Sequence, residues 1–400
     1  MDVDRLRLDT AGTEHCIHLN NAGAALMPRP VVEAVVDHVQ LEARIGGYEA
    51  ADHRAEAIEG TYRSVESLLG AQEGTVALVE NATAAFSQAL SAIPFREDDL
   101  ILTTRHDYVS NRLMYLSLRD RFGVRIDTVP DGKEGGVDVR RMIDAIHRRR
   151  PRLVAVTHVP TGSGLVQDVA PLAQECLRRE VPFLLDACQS VGQMPVRVDE
   201  IPCTFLAATS RKFLRGPRGA GFLYVSESAL EQGLSPLFPD LRGTDWIEEE
   251  LSQPAPDASR FENWEFAWAL ILGLGAAVDY AVDLGLEAIR ERVVLLAQRT
   301  RTAVGEVPGM RVLDRGNTLS GIVTVEAESI PARDLMTGLR ERGINTSVVE
   351  RGSALPDFDE RGIEAALRIS PHYYNLEEEV DAVAEGIREL VRLRRGGGPL

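Results

Sequence analysis

The segment Ala208-Thr-Ser-Arg-Lys-Phe-Leu-Arg-Gly-Pro-Arg-Gly-Ala-Gly-Phe-Leu-Tyr-Val225 contains one of only two lysines in a chain with 44 lysines and arginines. A buried ammonium can lose its proton, whereas a guanidinium stays charged. The other lysine, Lys133, lies in the turn-like composition Asp-Gly-Lys-Glu-Gly-Gly, where a solvated side chain is expected. Lys212 is therefore the candidate for a nucleophilic amine that can attack a carbonyl.

The composition is that of a globular protein large enough for two domains. The chain has 400 residues, of which 44% are hydrophobic and 26% are charged. Its formal net charge of −17 has the wrong sign for a protein that binds nucleic acid. No segment has the length of a membrane span, and the acidic N-terminus does not resemble a signal peptide. We therefore expect a cytoplasmic protein that binds neither nucleic acid nor a membrane.

The cysteines and histidines predict no metal site and no disulfide framework. The eight histidines form no HExxH motif. The four cysteines show no paired spacing; they are Cys16, Cys176, Cys188 and Cys203.

Short apolar segments alternate with helical patterns through the first half of the chain. The predicted strands are residues 76–79, 100–103, 124–129, 153–157, 182–186 and 205–208. This alternation predicts a mostly parallel sheet with helices on both faces. The carboxyl ends of its strands are expected to form the functional site, where Tyr108 and Asp186 fall.

The sequence Asn81-Ala-Thr83 joins the first predicted strand to a helical pattern at 84–93. A helix N-terminus in this position can hold a phosphate. Asn81 or Thr83 can equally act as an ordinary helix cap. The residues alone leave both interpretations open.

Asp186 and Lys212 together suggest a specific chemistry. A carboxylate that faces a pyridine nitrogen keeps it protonated, so that the ring accepts electrons from a carbanion. A lysine able to form a Schiff base is the other protein group on which pyridoxal phosphate chemistry depends.

Three motifs carry a family resemblance: Asp-x-x-Gln at 186–189, Ser-x-Lys at 210–212 and Gly-Pro-x-Gly-x-Gly-Phe-Leu-Tyr at 216–224. In combination they resemble class V, fold-type I pyridoxal-phosphate enzymes, in the branch of cysteine desulfurases, selenocysteine lyases and isopenicillin N epimerases. The resemblance covers about residues 19–390. It implies an α/β fold with a mostly parallel seven-stranded sheet in a large domain, a smaller α+β C-terminal domain, and a homodimer with active sites at its interface.

The resemblance implies a domain division and residue roles around the cofactor ring. We expect an N-terminal arm at 1–30, a large cofactor-binding domain at 31–260, and a small domain at 261–400 that a long helix at 261–280 enters. Lys212 would bind the cofactor covalently, Asp186 would pair with the pyridine nitrogen, and Gln189 would hydrogen-bond the phenolic oxygen. Tyr108 would stack on the ring, with His106 the less favoured alternative.

The resemblance also implies ligands for the phosphate and the substrate. Arg368 would clamp the substrate carboxylate, and Asn21 and Gly23 would line the substrate end of the pocket. The implied phosphate ligands are Ala82, Thr83, Thr209 and Arg211.

Two features depart from the desulfurase pattern. The region 345–357, where desulfurases carry a nucleophilic cysteine, contains none, and Cys188 is interpreted as a packed residue. Glu265 stands near the position of a phosphate-binding threonine, so we expect it to pair with Arg260, to pair with an arginine near the site, or to face the substrate. These departures favour a carbon–sulfur lyase acting on a cysteine conjugate, with an aminotransferase, epimerase or decarboxylating deaminase as the alternative.

Overall fold

A computed structural model gives the structure of the chain and describes residues 1–395. The helices are α1 (Val3–Leu8), α2 (Arg29–Ile45), α3 (Gly47–His53), α4 (Ala55–Leu69), α5 (Ala82–Ser91), α6 (Val109–Phe122), α7 (Val139–Arg149), α8 (Ala170–Arg178), α9 (Glu227–Glu231), α10 (Trp268–Leu284), α11 (Leu286–Gly305), α12 (Ala332–Glu341), α13 (Leu355–Arg361) and α14 (Glu377–Arg395).

The strands are likewise numbered in the order in which they occur along the chain. They are β1 (Ile17–His18), β2 (Val76–Val79), β3 (Leu100–Thr103), β4 (Arg125–Thr128), β5 (Leu153–Thr157), β6 (Phe183–Asp186), β7 (Phe205–Thr209), β8 (Gly221–Val225), β9 (Thr244–Glu248), β10 (Leu251–Pro254), β11 (Met310–Val312), β12 (Val323–Ala327), β13 (Ile344–Asn345), β14 (Ser347–Glu350) and β15 (Ala365–Ile369).

The main sheet has seven strands in the order β2-β8-β7-β6-β5-β3-β4. Strands β4, β3, β5, β6 and β7 pair in parallel, whereas β8 runs antiparallel to both β7 and β2. The predicted seven-stranded, mostly parallel sheet is thus confirmed.

Helices cover both faces of this sheet, which explains why its strands read as continuous apolar runs. Along β6, Phe183 and Leu185 belong to one core cluster and Leu184 belongs to the other. Successive side chains of a strand point to opposite faces, so each strand contributes to both cores. Phe86 of α5 and Tyr115 of α6 pack in the second cluster.

A second, antiparallel sheet in the order β11-β12-β15-β14 lies in the last third of the chain. Strand β1 pairs in parallel with β13, and Asn20 forms a bridge with Ser370, so the N-terminal segment contacts this part of the chain. Helix α10 packs against α2 and α4, next to the main sheet. The division at residues 30 and 260 stays a prediction, and its last boundary lies outside the described residues.

The long helix predicted at 261–280 is present, but its start was placed too early. The helix expected at 261–280 begins only at Trp268, because the buried Glu262 carboxylate accepts a hydrogen bond from the backbone of Leu78, at 2.7 Å, and holds the preceding segment against β2. The segment 234–256 contains the hairpin β9–β10, which was not among the predicted strands. Its strands are almost entirely exposed, so they lack the apolar alternation by which strands are recognised.

None of the helices among residues 1–395 is, by itself, long and apolar enough to cross a membrane. Helices α10 and α11 reach the required length and apolar composition only when they are taken together, and the chain bends by 83° between them.

Gly164 lies at a buried junction between the loop after β5 and the second sheet. Its backbone N–H donates to Asp314 Oδ1 at 3.0 Å, and Asp314 Oδ2 accepts from Arg301 Nε at 2.8 Å. A Cβ at residue 164 would meet the Arg301 guanidinium and the Ile322 carbonyl, with Asp314 Cγ at 2.9 Å. The junction therefore has no room for a side chain here.

Replacing Gly164 by alanine is expected to lower the free energy of unfolding by about 2–4 kcal/mol, because the overpacked Arg301–Asp314 pair must shift. Urea denaturation measures this change. Gly352→Ala is the matched control, since a Cβ there meets no atom within 4 Å. Equal stabilities for the two variants would contradict the packing argument.

Candidate active site

A cavity of about 480 Å³ lies at the carboxyl ends of the main-sheet strands. Every residue that the sequence suggested for cofactor binding lines it: Ala82, Thr83, Tyr108, Asp186, Gln189, Thr209, Arg211 and Lys212. These residues come from four separate segments of the chain. The strands bring them together because their carboxyl ends meet at one edge of the sheet.

Lys212 lies in the turn between β7 and β8 and is only 7% exposed. Burial is the main cause that lowers the pKa of its amine. The guanidiniums of Arg211 and Arg368 lower this pKa further, whereas the Asp186 carboxylate raises it. The amine lies 5.9 Å from the centre of the Tyr108 ring. A buried amine of lowered pKa suits both attack on a carbonyl and proton transfer.

The glycines after Lys212 allow a close approach of neighbouring backbone. A Cβ at Gly221 would meet the Ala208 carbonyl oxygen at 2.6 Å and Asn81 Cα at 3.1 Å. Only a glycine therefore lets β8 begin between β7 and the start of α5.

Arg215 anchors the lysine turn to distant segments and was not identified from the sequence. It is fully buried, with its backbone in the left-handed region at φ 62°. Its guanidinium donates to the Leu26 carbonyl at 2.8 Å, to the Tyr373 hydroxyl at 2.8 Å and to Thr10 Oγ1 at 2.6 Å. Its charge also lies over the ring of Tyr374, with 4.4 Å between the guanidinium carbon and the ring centre. These contacts fix the turn on which Lys212 lies.

Asp186 is the last residue of β6 and is 4% exposed. Its Oδ2 accepts from Asn111 Nδ2 at 2.9 Å and from Thr157 Oγ1 at 3.4 Å, and its Oδ1 accepts from the Cys188 N–H at 3.0 Å. These donors hold the carboxylate at the cavity wall. Asn111 was missed because its link to Asp186 exists only once α6 packs beside β6.

The structure distinguishes the two candidates for ring stacking. Tyr108 is half-buried and lines the cavity, and its backbone N–H donates to Thr157 Oγ1 at 3.3 Å. His106 points elsewhere and lies 3.0 Å from the Asp131 carboxylate. The placement therefore favours Tyr108.

The geometry at the start of α5 is compatible with both interpretations left open by the sequence. The Asn81 side chain caps the helix by accepting from the Ala84 N–H at 3.0 Å. Asn81, Ala82 and Thr83 also line the cavity beside Arg211. A helix N-terminus carries partial positive charge and free N–H groups, so this end of the cavity suits an anion.

Gln189 lines the cavity and contacts Thr161, a residue that the motifs did not identify. Its Nε2 donates to the Ala22 carbonyl at 3.1 Å and to Thr161 Oγ1 at 3.3 Å. Its Oε1 is buried without a hydrogen-bond partner among the described residues. Thr161, in a small-residue loop at the end of β5, also accepts from Arg368 NH1 at 2.7 Å.

The predicted substrate ligands lie behind this wall of the cavity. Arg368 is 8% exposed, and its Nε donates to Ser347 Oγ at 3.1 Å while NH1 contacts Thr161. Asn21 is fully buried and bonds the Ser370 carbonyl at 2.7 Å. The Gly23 carbonyl accepts from Arg211. The structure thus places Arg368 next to the cavity and gives Asn21 a packing role in this arrangement.

Of the three alternatives left open for Glu265, the structure contradicts the pair with Arg260. Arg260 donates instead to backbone carbonyls, including that of Ala255 at 2.8 Å. Glu265 is exposed and lines a small neighbouring cavity. The acid that forms a buried network is Glu262, which pairs with Arg242 at 2.7 Å.

Comparison with known proteins decides the family. The Aminotransferase class-V profile matches residues 17–383 of the chain. The chain belongs to the class-V aminotransferase family. Its members depend on pyridoxal phosphate, so the chain is a pyridoxal-phosphate enzyme and the predicted family and cofactor are confirmed.

Two similar curated proteins of this family are a probable cysteine desulfurase from Pyrococcus abyssi and a probable hercynylcysteine sulfoxide lyase from Mycobacterium tuberculosis. The first is 27% identical over 407 residues, covering 98% of each chain. The second is 27% identical over 376 residues, covering 93% of this chain and 89% of the relative.

Solved structures support the same fold. An apo cysteine desulfurase from Thermococcus onnurineus has a TM-score of 0.90 at 25% identity, covering 97% of this chain and 98% of the other. A mutant of C-DES with glycine covalently linked to its pyridoxal phosphate has a TM-score of 0.86 at 20% identity, covering 96% and 99%.

The residues that line the cavity fit pyridoxal phosphate. Lys212 offers a buried amine for the aldehyde, Asp186 a fixed carboxylate, and Tyr108 an aromatic face. The start of α5 and Arg211 offer donors for a phosphate. The unpartnered Gln189 Oε1 marks a polar position at the wall that a ligand can satisfy.

Proposed function

We propose that the protein is a lyase that cleaves the carbon–sulfur bond of a cysteine conjugate by β-elimination, giving pyruvate, ammonia and a sulfur product. The names of its desulfurase and sulfoxide lyase relatives support a substrate with sulfur on its β-carbon. The relatives do not by themselves distinguish elimination from transfer of sulfur to a protein thiol.

The main support for the proposal is the chemistry of the one thiol in the cavity, that of Cys188. Cys188 is the only cysteine among residues 1–395 that lines the cavity. Burial and the neighbouring Asp186 carboxylate raise the pKa of its thiol far above the usual range. A thiol is a poor sulfur acceptor until it ionises. Because 345–357 also lacks cysteine, the sulfur group must leave with the electron pair of the broken bond rather than be attacked by the protein.

Each remaining group has a role in this reaction. Pyridoxal phosphate supplies an electron sink for the electrons released at the substrate α-carbon. The Lys212 amine would remove the α-proton, and the Asp186 carboxylate would keep the pyridine nitrogen protonated. Arg368 holds the substrate carboxylate. Burial and the charge of Arg211 lower the pKa of Arg368 to about 10, so its guanidinium is still charged at neutral pH.

S-methyl-L-cysteine sulfoxide, assayed for pyruvate with lactate dehydrogenase, tests the proposed reaction. We expect equal amounts of pyruvate and ammonia from the holoenzyme. Alanine formed from L-cysteine together with a protein persulfide would contradict elimination and indicate a desulfurase. Conversion of the bound cofactor to its amine form without pyruvate would indicate transamination.

Replacing Arg368 by glutamine is expected to raise KM for the sulfoxide about 100-fold, because an amide cannot form a bidentate charged pair with a carboxylate. Steady-state kinetics measures this change. Arg44→Gln, which removes an exposed arginine far from the cavity on α2, is the matched control. An unchanged KM in the Arg368 variant would show that this residue does not bind the substrate.

We also propose that two copies of this cytoplasmic enzyme associate. Phe238 and Trp246 are 79% and 78% exposed, and Leu241 and Ile247 add to the same apolar stretch. Large exposed apolar side chains in one segment are typical of an interface. Sedimentation equilibrium is expected to give a dimer mass, and a monomer at micromolar concentration would contradict this.

A further inference from the structure

Arg218 lines the active-site cavity and takes no part in the proposed reaction. It lies in the turn that connects Lys212 to β8, and it is exposed at the rim of the cavity. The lining of the same cavity includes Asn81, Thr83 and Arg211, which form the anion-binding end. Gly221, three residues after Arg218, approaches this end, since a Cβ there would lie 3.1 Å from Asn81 Cα.

The backbone around Arg218 is fixed. The Ser210 hydroxyl donates to the Pro217 carbonyl and to the Ala220 carbonyl, the latter at 2.9 Å. The Gly216 N–H donates to the Ser210 carbonyl at 2.9 Å. Gly219 follows in the left-handed region at φ 96°, where a Cβ would meet Leu270 at 2.9 Å. The turn thus holds the Arg218 backbone in place while its side chain can reach into the cavity.

The charge of Arg218 is not neutralised by the protein. Among the described residues it forms no ion pair. Arg211 and Arg218 line the same cavity, and burial, followed by the charge of Arg218, lowers the pKa of Arg211. Two like charges beside a helix N-terminus destabilise one another unless an anion joins them.

The one carboxylate of the cavity lining apart from Asp186 is Glu80. Glu80 also lines the small neighbouring cavity, together with Gly219 and Glu265. These acids offer the alternative partner for Arg218. A pairing with them would make Arg218 a surface residue with no contact to the cofactor.

We propose that Arg218 is a second cationic ligand of the cofactor phosphate, together with Arg211. A phosphate ester carries about 1.5 to 2 negative charges at neutral pH, so it can accept charged hydrogen bonds from both guanidiniums. The inference concerns the phosphate alone and is independent of the lyase reaction proposed above.

Comparing pyridoxal phosphate with pyridoxal, which lacks the phosphate, tests this role. The full-length chain is stripped of cofactor with hydroxylamine, and the Kd of each compound is measured by absorbance titration. We expect Arg218→Gln to weaken pyridoxal phosphate binding about tenfold and to leave pyridoxal binding unchanged. Arg218→Lys should lose about threefold, because it keeps the charge but not the planar fork.

Two further variants make the test specific. Arg44→Gln removes the same charge from an exposed position away from the cavity and is expected to leave both Kd values unchanged. Glu80→Gln is expected to leave pyridoxal phosphate binding unchanged or to strengthen it. An equal loss for both compounds in Arg218→Gln, or no loss for either, would overturn the proposal. Thermal melting shows whether each variant is folded.

Discussion

The variant Lys212→Ala is expected to lower kcat about 10⁴-fold or more and to lose the absorbance of covalently bound cofactor. The physical reason is the position of its amine, buried at 7% exposure beside Tyr108 and Asp186. No other amine side chain lines the cavity among the described residues. The variant loses both the nucleophile that binds the cofactor and the base that removes the α-proton. Visible absorbance and the pyruvate assay measure the two losses separately.

The chain provides its own control for this variant. Lys133, the only other lysine, is exposed in a turn remote from the cavity. Lys133→Ala is expected to keep the wild-type spectrum and kcat. Covalently bound cofactor and turnover in Lys212→Ala would contradict the assignment, as would their loss in Lys133→Ala.

Asp186→Asn is expected to lower kcat about 1000-fold while the protein stays folded. Asparagine has nearly the same volume as aspartate, and its oxygen can still accept from Asn111, so the packing survives. Its amide carries no negative charge, so it cannot stabilise a protonated pyridine nitrogen, and the ring becomes a weaker electron acceptor.

Kinetics and thermal melting distinguish this electrostatic role from a structural one. Asp37→Asn, which removes an exposed carboxylate on α2, is the matched control and should match the wild type. A kcat within threefold of the wild type in Asp186→Asn would show that Asp186 does not act on the ring. A large drop in melting temperature would show that its role is structural.

The sequence predicted the main sheet because both of its faces are covered. Strands such as β5 and β6 then consist of uninterrupted apolar residues between helical patterns, and this signal is local. The convergence of Asp186 and Tyr108 followed from a general property of such sheets, in which loops at the carboxyl ends meet. Lys212 was singled out because lysine is so rare in this chain, and the family resemblance implied its role beside them.

The parts that could not be predicted depend on contacts between distant segments. Thr161 contacts Arg368, 207 residues later, and Arg215 contacts Thr10, 205 residues earlier. No local periodicity encodes such pairs. Glu262 and Glu265 are only three residues apart in the sequence. The tertiary structure alone shows that Glu262 is buried against β2 while Glu265 is exposed.

Mapping the site of cofactor attachment shows whether Lys212 binds pyridoxal phosphate covalently. The wild-type holoenzyme is reduced with borohydride and digested, and the masses of its peptides are measured. We expect a phosphopyridoxyl group on Lys212 and none on Lys133. A protein that stays colourless when pyridoxal phosphate is added, and whose Lys212 is unmodified after reduction, would contradict this assignment.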